Sequence, residues 1–282
     1  MSAFFANLLF TYQSLIYGLG INAILGLSMY VVLAIGQLSL GQAAFMGVGA
    51  YASSLLSVKL GLSFPVVLVA AAGVPAMLAL LVSVPTLRLS GVYLAIATIG
   101  LGEVLRLFYV NWDYAGGALG LSGIPDRGGF FTIFGTLALL LAAAFAVGRS
   151  RIGRAMEAIR EDEQAAGVMG IDVPRYKLAA LVISAAIAGI AGAYNAHVTA
   201  FIAPGDYAFD NAVTILSYAL LGGIGSPLGP VFGAFLLTAL PELLRPLHDY
   251  RLVLNGLIIV SVVIFMPRGL FSWHMRRIGA AK

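Results

Sequence analysis

The sequence predicts an all-α, polytopic membrane protein with about 8–10 transmembrane helices, some of them short or broken. Of its 282 residues, 61% are hydrophobic and only 10% are charged, whereas charged residues make up about 25% of a typical globular protein. Apolar runs of roughly 17–25 residues recur along the chain, and this is the length that an α-helix needs to cross a bilayer. We therefore treat residues 1–282 as a single transmembrane domain.

Candidate spans are placed in order by their length and by the polar or helix-breaking residues between them. They cover residues 13–35, 41–58, 65–86, 91–110, 130–148, 177–202, 209–223, 229–244 and 250–267. Several are short for a bilayer, so we expect some to be broken or re-entrant; these are 41–58, 209–223 and 229–244. Residues 1–12 are expected to form an interfacial helix or to extend the first span. Because they lack a basic leader region, we expect them to be retained.

The segment at 36–51, GQLSLGQAAFMGVGAY, interrupts this pattern between two apolar runs. It carries Gln37, Ser39 and Gln42, whose polar side chains a lipid-facing helix does not favour. Irregular backbone at membrane depth is tolerated where it is buried in protein or lines a cavity. We therefore predict that this segment faces protein or a cavity and not lipid.

Several charged, polar and small residues lie inside the later spans. Glu103 and Arg106 are three residues apart, so they form either a structural ion pair or a gate near the outer mouth. Asn195 and His197 are typical of hydrogen bonding between helices. Six glycines predict close helix packing, namely Gly189, Gly192, Gly222, Gly223, Gly229 and Gly233. The last two suit either packing within the chain or pairing with a second chain.

The distribution of basic residues predicts the orientation of the chain in the membrane. The loop at 149–177 is rich in them, and so is the tail; the residues are Arg149, Arg151, Arg154, Arg160, Arg175, Lys177, Arg276, Arg277 and Lys282. Because short loops rich in Lys and Arg stay in the cytoplasm, both segments are assigned there. Counting spans back from them places Arg88 inside, and the loop at 111–129 and the N-terminus outside. The net charge of +4 comes from such loops and does not indicate nucleic-acid binding.

The loop at 149–177 is predicted to contain an amphipathic helix. Ser150 is suited to cap its start, and Gly167 and Gly170 to end it. Charge pairs at i,i+3 join Arg160 to Glu157 and to Glu163. An apolar stripe follows three- and four-residue steps, or multiples of them, through Ile152, Met156, Ile159, Ala166 and Met169. Because the polar face is acidic, whereas membrane-surface helices are basic, we expect a docked protein partner in preference to lipid.

Part of this loop resembles a known motif. Gln164-Ala165-Ala166-x-x-x-Gly170 is similar to the EAA loop of ABC importer permeases, whose short helices insert into a cleft of the ATPase subunit. Here Gln164 stands where Glu is expected, with Glu163 one position earlier. Further segments resemble the M-type subunit of branched-chain amino-acid ABC importer permeases over about residues 20–271. They are SLGQAAFMGVGAYAS, LRLSGVYLAIATIGLGEVLRL, GLSGIP, RSRIGRAMEAIREDEQAAGVMGI, LLGGIGSPLGPVFGA and FMPRGLF.

The resemblance implies a permease subunit that translocates branched-chain or other apolar amino acids by alternating access across the bacterial inner membrane. It implies a second homologous permease subunit, two ATP-binding subunits and an external substrate-binding protein as partners. The ATPase-coupling residues would be Arg160, Glu163, Gln164, Ala165, Ala166 and Gly170. Residues of the pathway or of the interface with the second permease would be Gln37, Ser39, Gln42, Glu103, Arg106 and Asn195.

Catalysis by the chain itself is not expected. It has no cysteine and therefore no thiolate nucleophile or thiolate metal site. It also lacks a Gly-x-x-x-x-Gly-Lys-Ser/Thr phosphate loop, so ATP hydrolysis is assigned to partner subunits. No cofactor or metal is expected.

Three alternatives remain at this point. The same permease family includes importers of urea and short amides. An ion-coupled secondary carrier would more naturally show several buried acids than Glu103 alone. An intramembrane serine protease is suggested by Gly120-Leu-Ser122-Gly123 with His197 on a later span, although Ile124-Pro125 predicts a turn there.

Overall fold

A computed structural model describes residues 12–86, 89, 91–243 and 256, which are almost entirely helical. The helices are α1 (Gln13–Leu33), α2 (Gln42–Leu60), α3 (Phe64–Thr86), α4 (Val92–Val110), α5 (Phe130–Arg149), α6 (Arg151–Glu161), α7 (Glu163–Val168), α8 (Val173–Thr199), α9 (Phe209–Gly222) and α10 (Leu228–Leu243). Two short strands, β1 (Leu121–Ser122) and β2 (Phe201–Ile202), lie between them. The predicted span at 250–267, the first eleven residues, Arg88 and the basic tail lie outside the described residues or almost wholly so.

Six of the described helices, α1 to α5 and α8, are long and apolar enough to cross a membrane. Each of these six helices, and also α9 and α10, begins and ends within four residues of its predicted span. The prediction of an all-α polytopic membrane protein is therefore confirmed.

Helix α8 lies at the centre of the bundle, where it packs against α1, α2 and α3. Glycines allow this approach. A side chain at Gly189 would meet the backbone of Ala71 in α3, and one at Gly192 would meet the backbone of Met46 in α2. Gly49 of α2 in turn faces Gly189. The predicted use of Gly189 and Gly192 for close helix packing is confirmed.

Helices α9 and α10 pack against each other through glycines as well. A side chain at Gly229 would meet the backbone of Gly223, and one at Gly233 would meet the backbone of Tyr218. The sequence left open whether Gly229 and Gly233 serve packing within the chain or pairing with a second permease. In the described structure, backbone atoms of this same chain occupy the space beside both glycines, so both serve packing within the chain.

The first turn of α10 lies beside the interior of α1. A Cβ atom at Gly26 would stand 2.7 Å from the carbonyl oxygen of Pro230, and Gly26 precedes the end of α1 at Leu33 by seven residues. At 1.5 Å per residue, α10 therefore begins about 10 Å short of that end. This placement agrees with the expected presence of short or re-entrant helices.

Helices α4 and α5 lie at the periphery of the bundle. Only 22% of the apolar window of α4 and 11% of that of α5 are buried. The outer face of α4 exposes large apolar side chains, namely Val92, Tyr93, Ile96, Val104, Leu107 and Phe108. Both helices therefore leave a face free for lipid or for another chain.

The two ends of the bundle differ in structure. At one end β1 pairs antiparallel with β2, with Leu121 opposite Ile202. This pairing joins the 111–129 loop to the segment that follows α8, and Arg127 donates a hydrogen bond to the carbonyl of Leu62 at 2.6 Å. Helices α6 and α7 lie at the opposite end, because α5 separates them from the 111–129 loop.

The single helix predicted for the 149–177 loop is wrong, because the chain breaks at Asp162. Ser150 caps α6 as expected and accepts hydrogen bonds from the N–H groups of Ile152 and Gly153. Asp162 has an extended backbone, and its carboxylate accepts hydrogen bonds from the N–H groups of Gln164 and Ala165, which starts the short helix α7. Two helices joined at Asp162 therefore replace one continuous helix.

The predicted apolar stripe is divided by this break. Its middle is covered by the protein itself, because Ile159 and Ala166 are buried in a cluster with Ile35, Val173 and Ala180. Ile152 and Met169 at the two ends of the stripe remain exposed. The expectation that the whole stripe needs lipid or a partner to cover it is therefore wrong for its middle part.

Candidate functional site

The connection between α1 and α2, residues 34–41, is irregular and returns into the bundle. Gly36 has a φ of 80°, which ends a helix in a conformation that glycine adopts without strain. The chain then rises to Gln42, whose Nε2 lies 3.4 Å from Ser184 Oγ in α8. Ser184 also accepts a hydrogen bond at its carbonyl from Ser28 Oγ. Helix α2 therefore begins beside Ser28 and Ser184, inside the bundle and level with the interior of α1.

The polar side chains of this connection are buried. Gln37, Ser39 and Gln42 are all less than one tenth exposed. Ser39 Oγ accepts a hydrogen bond from the N–H of Gly41 at 3.2 Å. The Oε1 atoms of Gln37 and Gln42 have no hydrogen-bond partner in the described part of the chain. The prediction that this segment faces protein or a cavity and not lipid agrees with their burial.

The connection also touches α4. The N–H of Leu40 donates a hydrogen bond to Thr98 Oγ1 at 2.9 Å. Thr98 is itself buried and bonds back to the carbonyls of Leu94 and Ala95. The start of α2 is therefore fixed to the inner part of α4.

Glu103 and Arg106 of α4 form an ion pair, as their spacing allows. Arg106 Nε donates to Glu103 Oε2 at 2.8 Å, and the two side chains are 33% and 40% exposed, respectively. Glu103 lies eleven residues after Val92 and seven before Val110, so it is about 10 Å or more from either end of the helix. This ion pair is thus partly exposed near the middle of α4, at the depth where a charge is most costly in a membrane.

A narrow crevice adjoins this pair. Its walls come from the start of α2, the middle of α4, Tyr207 and the start of α9. The empty space there is about 220 Å³ when the open solvent at its mouth is included, and the enclosed part has room for about one water molecule. Glu103 is the charged residue among its lining residues. The other lining side chains are apolar or small, apart from the ring of Tyr207; they include Leu40, Ala43, Ala44, Ile99, Phe209 and Ala212.

Three buried tyrosines lie together at and beside the crevice, and no pattern in the sequence predicts them. The rings of Tyr51 and Tyr109 stack at 4.1 Å between centroids, and Tyr207 meets Tyr51 edge-on at 6.1 Å. Asn195 lies near the Tyr207 hydroxyl, but no described group makes a well-formed hydrogen bond to any of the three hydroxyls. Burial raises the pKa of Tyr207 well above its ordinary value, so its hydroxyl keeps its proton. No local pattern marks this group, because its members come from three distant segments.

At the opposite end, Glu163 is paired within the chain. Its Oε2 lies 2.6 Å from Lys177 Nζ, and the Lys177 side chain is only 8% exposed. The predicted pair between Arg160 and Glu163 is therefore wrong; Arg160 instead lies 3.3 Å from Glu161 and 4.0 Å from Glu157. Because an α-helix break separates Arg160 from Glu163, the i,i+3 spacing does not bring them together.

The outward surface of α7 is composed of Gln164, Ala165, Gly167, Val168 and Met169, all exposed. Val168 and Met169 are 88% and 82% exposed, which leaves two large apolar side chains uncovered. Ala166 is buried on the inner side and Gly170 follows with a φ of 83°. We call this set of exposed residues the α7 surface.

The α6–α7 pair is packed directly onto the 34–41 connection. A side chain at Gly36 would stand 3.3 Å from Arg160 Cα, and Ile35 shares a buried cluster with Ile159 and Ala166. Arg160 and Ala166, which are predicted to couple to the ATPase, therefore lie against Gly36 and Ile35, next in the chain to the pathway candidate Gln37. The two groups are more than 100 residues apart in the sequence.

The protease alternative is wrong on geometry. Both ring nitrogens of His197 are occupied, Nε2 by Ser57 Oγ at 3.2 Å and Nδ1 by the carbonyl of Pro125 at 2.8 Å. Ser122 lies exposed in β1, opposite Phe201, so His197 does not serve it as a base. His197 instead joins α2, α8 and the loop at 111–129, which confirms its predicted interhelical role. Within the described residues, no group of three His, Asp or Glu side chains is arranged to hold a metal ion.

Comparisons with known proteins agree with this architecture. Residues 11–266 match the family described as branched-chain amino acid transport system / permease component. The chain is 35% identical over 307 residues to the high-affinity branched-chain amino acid transport system permease protein LivM of Escherichia coli (strain K12), covering 95% of this chain and 71% of LivM. The LivM protein of Salmonella typhimurium is 35% identical over 291 residues, which cover 91% of this chain and 67% of that protein.

A more distant likeness covers about half of the chain. The permease protein LivH of Escherichia coli (strain K12) is 31% identical over 140 residues, which cover 49% of this chain and 45% of LivH. No solved structure matches the chain. Because the family match and the LivM alignments extend over most of the sequence, the chain belongs to the family of branched-chain amino acid transport system permease components.

Proposed function

We propose that this chain is a membrane-spanning permease subunit of an ATP-driven ABC importer. It translocates branched-chain or other apolar amino acids across the bacterial inner membrane by alternating access, with its C-terminus in the cytoplasm. The observation that carries the proposal is the near full-length likeness to LivM, at 35% identity over 95% of this chain. The chain performs no covalent chemistry, and ATP hydrolysis belongs to its partners.

The importer contains four kinds of component. A second homologous permease, of which the LivH likeness is an indication, completes the pathway. Two ATP-binding subunits dock on the cytoplasmic face, and an external substrate-binding protein delivers the amino acid. The exposed faces of α4 and α5 offer the surface that a second permease requires.

The ATPase subunit docks on the α7 surface. Val168 and Met169 supply apolar area, and Gln164 supplies an exposed amide where the related motif has a carboxylate. Glu163 takes a different role, because its carboxylate is engaged by Lys177 and fixes α7 to the base of α8. The polar contact to the ATPase is therefore assigned to Gln164.

Movement of α6 and α7 reaches the membrane interior through a short series of contacts. The cluster of Ile35, Ile159 and Ala166 ties the two helices to the 34–41 connection. Leu40 in turn bonds to Thr98 of α4, five residues before Glu103. ATP-driven displacement of α7 thereby shifts the start of α2 and the crevice together. Gln37, Ser39, Gln42, Glu103, Arg106 and Asn195 line the pathway or its interface with the second permease.

The test is transport by the assembled importer. Proteoliposomes that contain this chain, the second permease, both ATPase subunits and the binding protein should accumulate radiolabelled leucine when ATP is supplied on the cytoplasmic side. Omission of ATP, or an ATPase variant unable to hydrolyse it, should abolish accumulation. Leucine accumulation by this chain alone, driven by a proton or sodium gradient, would overturn the proposal in favour of a secondary carrier. ATP-driven accumulation of urea without leucine would overturn the substrate assignment.

A further inference from the structure

The Glu103–Arg106 pair is incompletely satisfied by the protein around it. The two side chains share one contact, from Arg106 Nε to Glu103 Oε2. A guanidinium has five N–H donors, and a carboxylate accepts about four hydrogen bonds. Within the described residues no further partner is recorded for either group, so the terminal NH groups of Arg106 and the Oε1 atom of Glu103 remain available.

Lipid is a poor occupant for this position. The pair lies well inside α4 and is more than one third exposed on average, yet hydrocarbon supplies no hydrogen bonds to it. A charged group at the centre of a membrane helix costs about 2.5–3.5 kcal/mol even on the lower scales. A ligand with a positive group placed against Glu103 and a negative group placed against Arg106 would offset this cost.

The crevice beside Glu103 is apolar, in contrast to the charged pair. Its walls are made of Leu40, Ala43, Ala44, Ile99, Phe209 and Ala212 with Glu103 at the edge. Tyr207 also lines the crevice, and its buried hydroxyl has no well-formed hydrogen bond within the described residues. Glu103 therefore belongs both to the charge pair and to the wall of an apolar crevice, and Tyr207 adds a hydroxyl to the same wall.

We propose that Glu103 and Arg106 bind the α-ammonium and the α-carboxylate of the transported amino acid, while the crevice beside Glu103, which has room for about one water molecule in this conformation, widens to receive its apolar side chain. The guanidinium fork matches a carboxylate bidentately, and the free carboxylate oxygen of Glu103 accepts from the ammonium. Binding exchanges one pair of opposite charges for two, so no net charge enters the membrane. The ligand class is a free zwitterionic α-amino acid with an apolar side chain, which rests on the proposed function and specifies its site.

The cysteine-free sequence permits a direct binding test. Ala208 lines the crevice and has an ordinary extended backbone, so Ala208→Cys introduces a single thiol there. In the assembled importer, 10 mM leucine (about the range where weak sites fill) should slow maleimide labelling of this cysteine severalfold. Isoamylamine, which lacks the carboxylate, and 4-methylpentanoate, which lacks the ammonium, should not.

Variants of the pair then separate a ligand site from a structural ion pair. In the Ala208→Cys background, Glu103→Gln, Arg106→Gln and the double neutral variant should each lose protection by leucine and reduce leucine uptake about ten- to hundredfold, as expected for charge-assisted hydrogen bonds. A structural pair predicts near-normal protection and uptake in the double variant, since neither charge is left alone. Arg175→Gln, which breaks the exposed pair with Asp172 at 3.0 Å, is the matched control and should transport normally.

Several results would overturn the inference. Protection by isoamylamine equal to that by leucine, no protection by leucine at all, or full protection in the double variant each contradicts it. If Arg106→Gln does not assemble, Arg106→Lys keeps the charge but loses the fork, and it should assemble with weaker protection; unchanged protection again contradicts the proposal. If the wild-type importer and the Glu103 and Arg106 variants all transport leucine equally well, the binding site is refuted and the proposed function stands. A wild-type importer that moves no amino acid refutes the proposed function instead.

Discussion

At the scale of single residues, Gln42 shows a polar group whose burial brings little local stabilisation. Its side chain is 1% exposed, its hydrogen bond to Ser184 Oγ is long at 3.4 Å, and its Oε1 has no partner in the described residues. An apolar replacement of similar size removes an unsatisfied group, which is nearly neutral for stability. We therefore attribute the presence of a buried amide at position 42 to a role in transport and not to a contribution to folding stability.

We accordingly expect Gln42→Leu to change the unfolding free energy by less than about 1 kcal/mol while lowering ATP-driven leucine uptake severalfold. The measurements are thermal unfolding of the purified importer and initial uptake rates in proteoliposomes. Ser184→Ala removes the same hydrogen bond from the other side and is the matched control, which should transport almost normally. Normal uptake by Gln42→Leu would show that this amide has no part in the pathway.

Ser39 differs from Gln42, although the two were grouped by their sequence. Ser39 is fully buried and bonded to the N–H of Gly41, so Ser39→Leu forces extra carbon atoms into a filled space. Overpacking of this kind costs about 1–3 kcal/mol. We expect this variant to lose both thermal stability and uptake, whereas Ser39→Ala should retain most of both. A stable but inactive Ser39→Leu importer would contradict this expectation.

At the scale of elements, the pair between Glu163 and Lys177 fixes α7 to α8. Glu163→Lys places two positive charges together and releases α7, so we expect ATP-coupled uptake to fall at least about tenfold. The expected loss of stability is about 1–2 kcal/mol, below that of a fully buried pair because Glu163 is half exposed. Membrane insertion should be unaffected, as measured by extraction of the chain from washed membranes.

Two further variants make this test specific. Glu157→Lys changes an exposed carboxylate on the same pair of helices, 4.0 Å from Arg160, and should retain uptake. Glu163→Gln combined with Lys177→Met removes both charges and should restore assembly with the ATPase, measured by co-purification. Wild-type uptake in Glu163→Lys would refute the role of this pair in coupling.

Gly170 ends α7 with a φ of 83°, and no atom lies within 4 Å of a side chain built there. Its requirement is therefore conformational, since a left-handed backbone costs roughly 1–2 kcal/mol for most residues and less for asparagine. We expect Gly170→Leu to reduce coupled uptake strongly and Gly170→Asn to retain most of it. Equal loss in both variants would show that a small residue is needed for contact with the ATPase instead.

The sequence predicted the elements better than the contacts between them. Span positions followed from apolar length, and Ser150, Gly189 and Gly192 followed from local rules of capping and packing. The break at Asp162 does not follow from the sequence, because the surrounding residues are good helix formers. Whether Asp162 continues α6 or caps a new helix depends on which of the two arrangements is more stable. The Glu163–Lys177 pair and the tyrosine group were missed because they join segments that are distant in the chain.

At the scale of the whole molecule, the arrangement of the loops predicts the orientation of the chain. The 111–129 loop and α6 lie at opposite ends of the bundle, so exposed positions in them should be accessible from opposite sides. In the cysteine-free chain, Leu119→Cys should react with a membrane-impermeant maleimide in right-side-out vesicles, since Leu119 is 89% exposed. Ala158→Cys, also exposed, should react only in inverted vesicles.

Labelling of both positions from one side would contradict the bundle arrangement. Labelling of each from the side opposite to the one expected would instead show that the chain is inserted with the reverse orientation. The short helices α9 and α10 do not affect this result. A pair that enters and leaves at the same face leaves the sidedness of all other loops unchanged.

The packing of α2 against α8 also determines when the protein is able to assemble. Helix α2 has the lowest mean hydropathy of the six candidate spans, 1.3, and it is covered largely by α8, which begins more than 100 residues later. At about 5–20 residues per second, a ribosome needs several seconds to deliver that partner. During this interval the serines and Gln42 of α2 face lipid or the insertion machinery. Nascent chains that stop before Val173 therefore leave the least apolar of the six candidate spans without the helix that covers it.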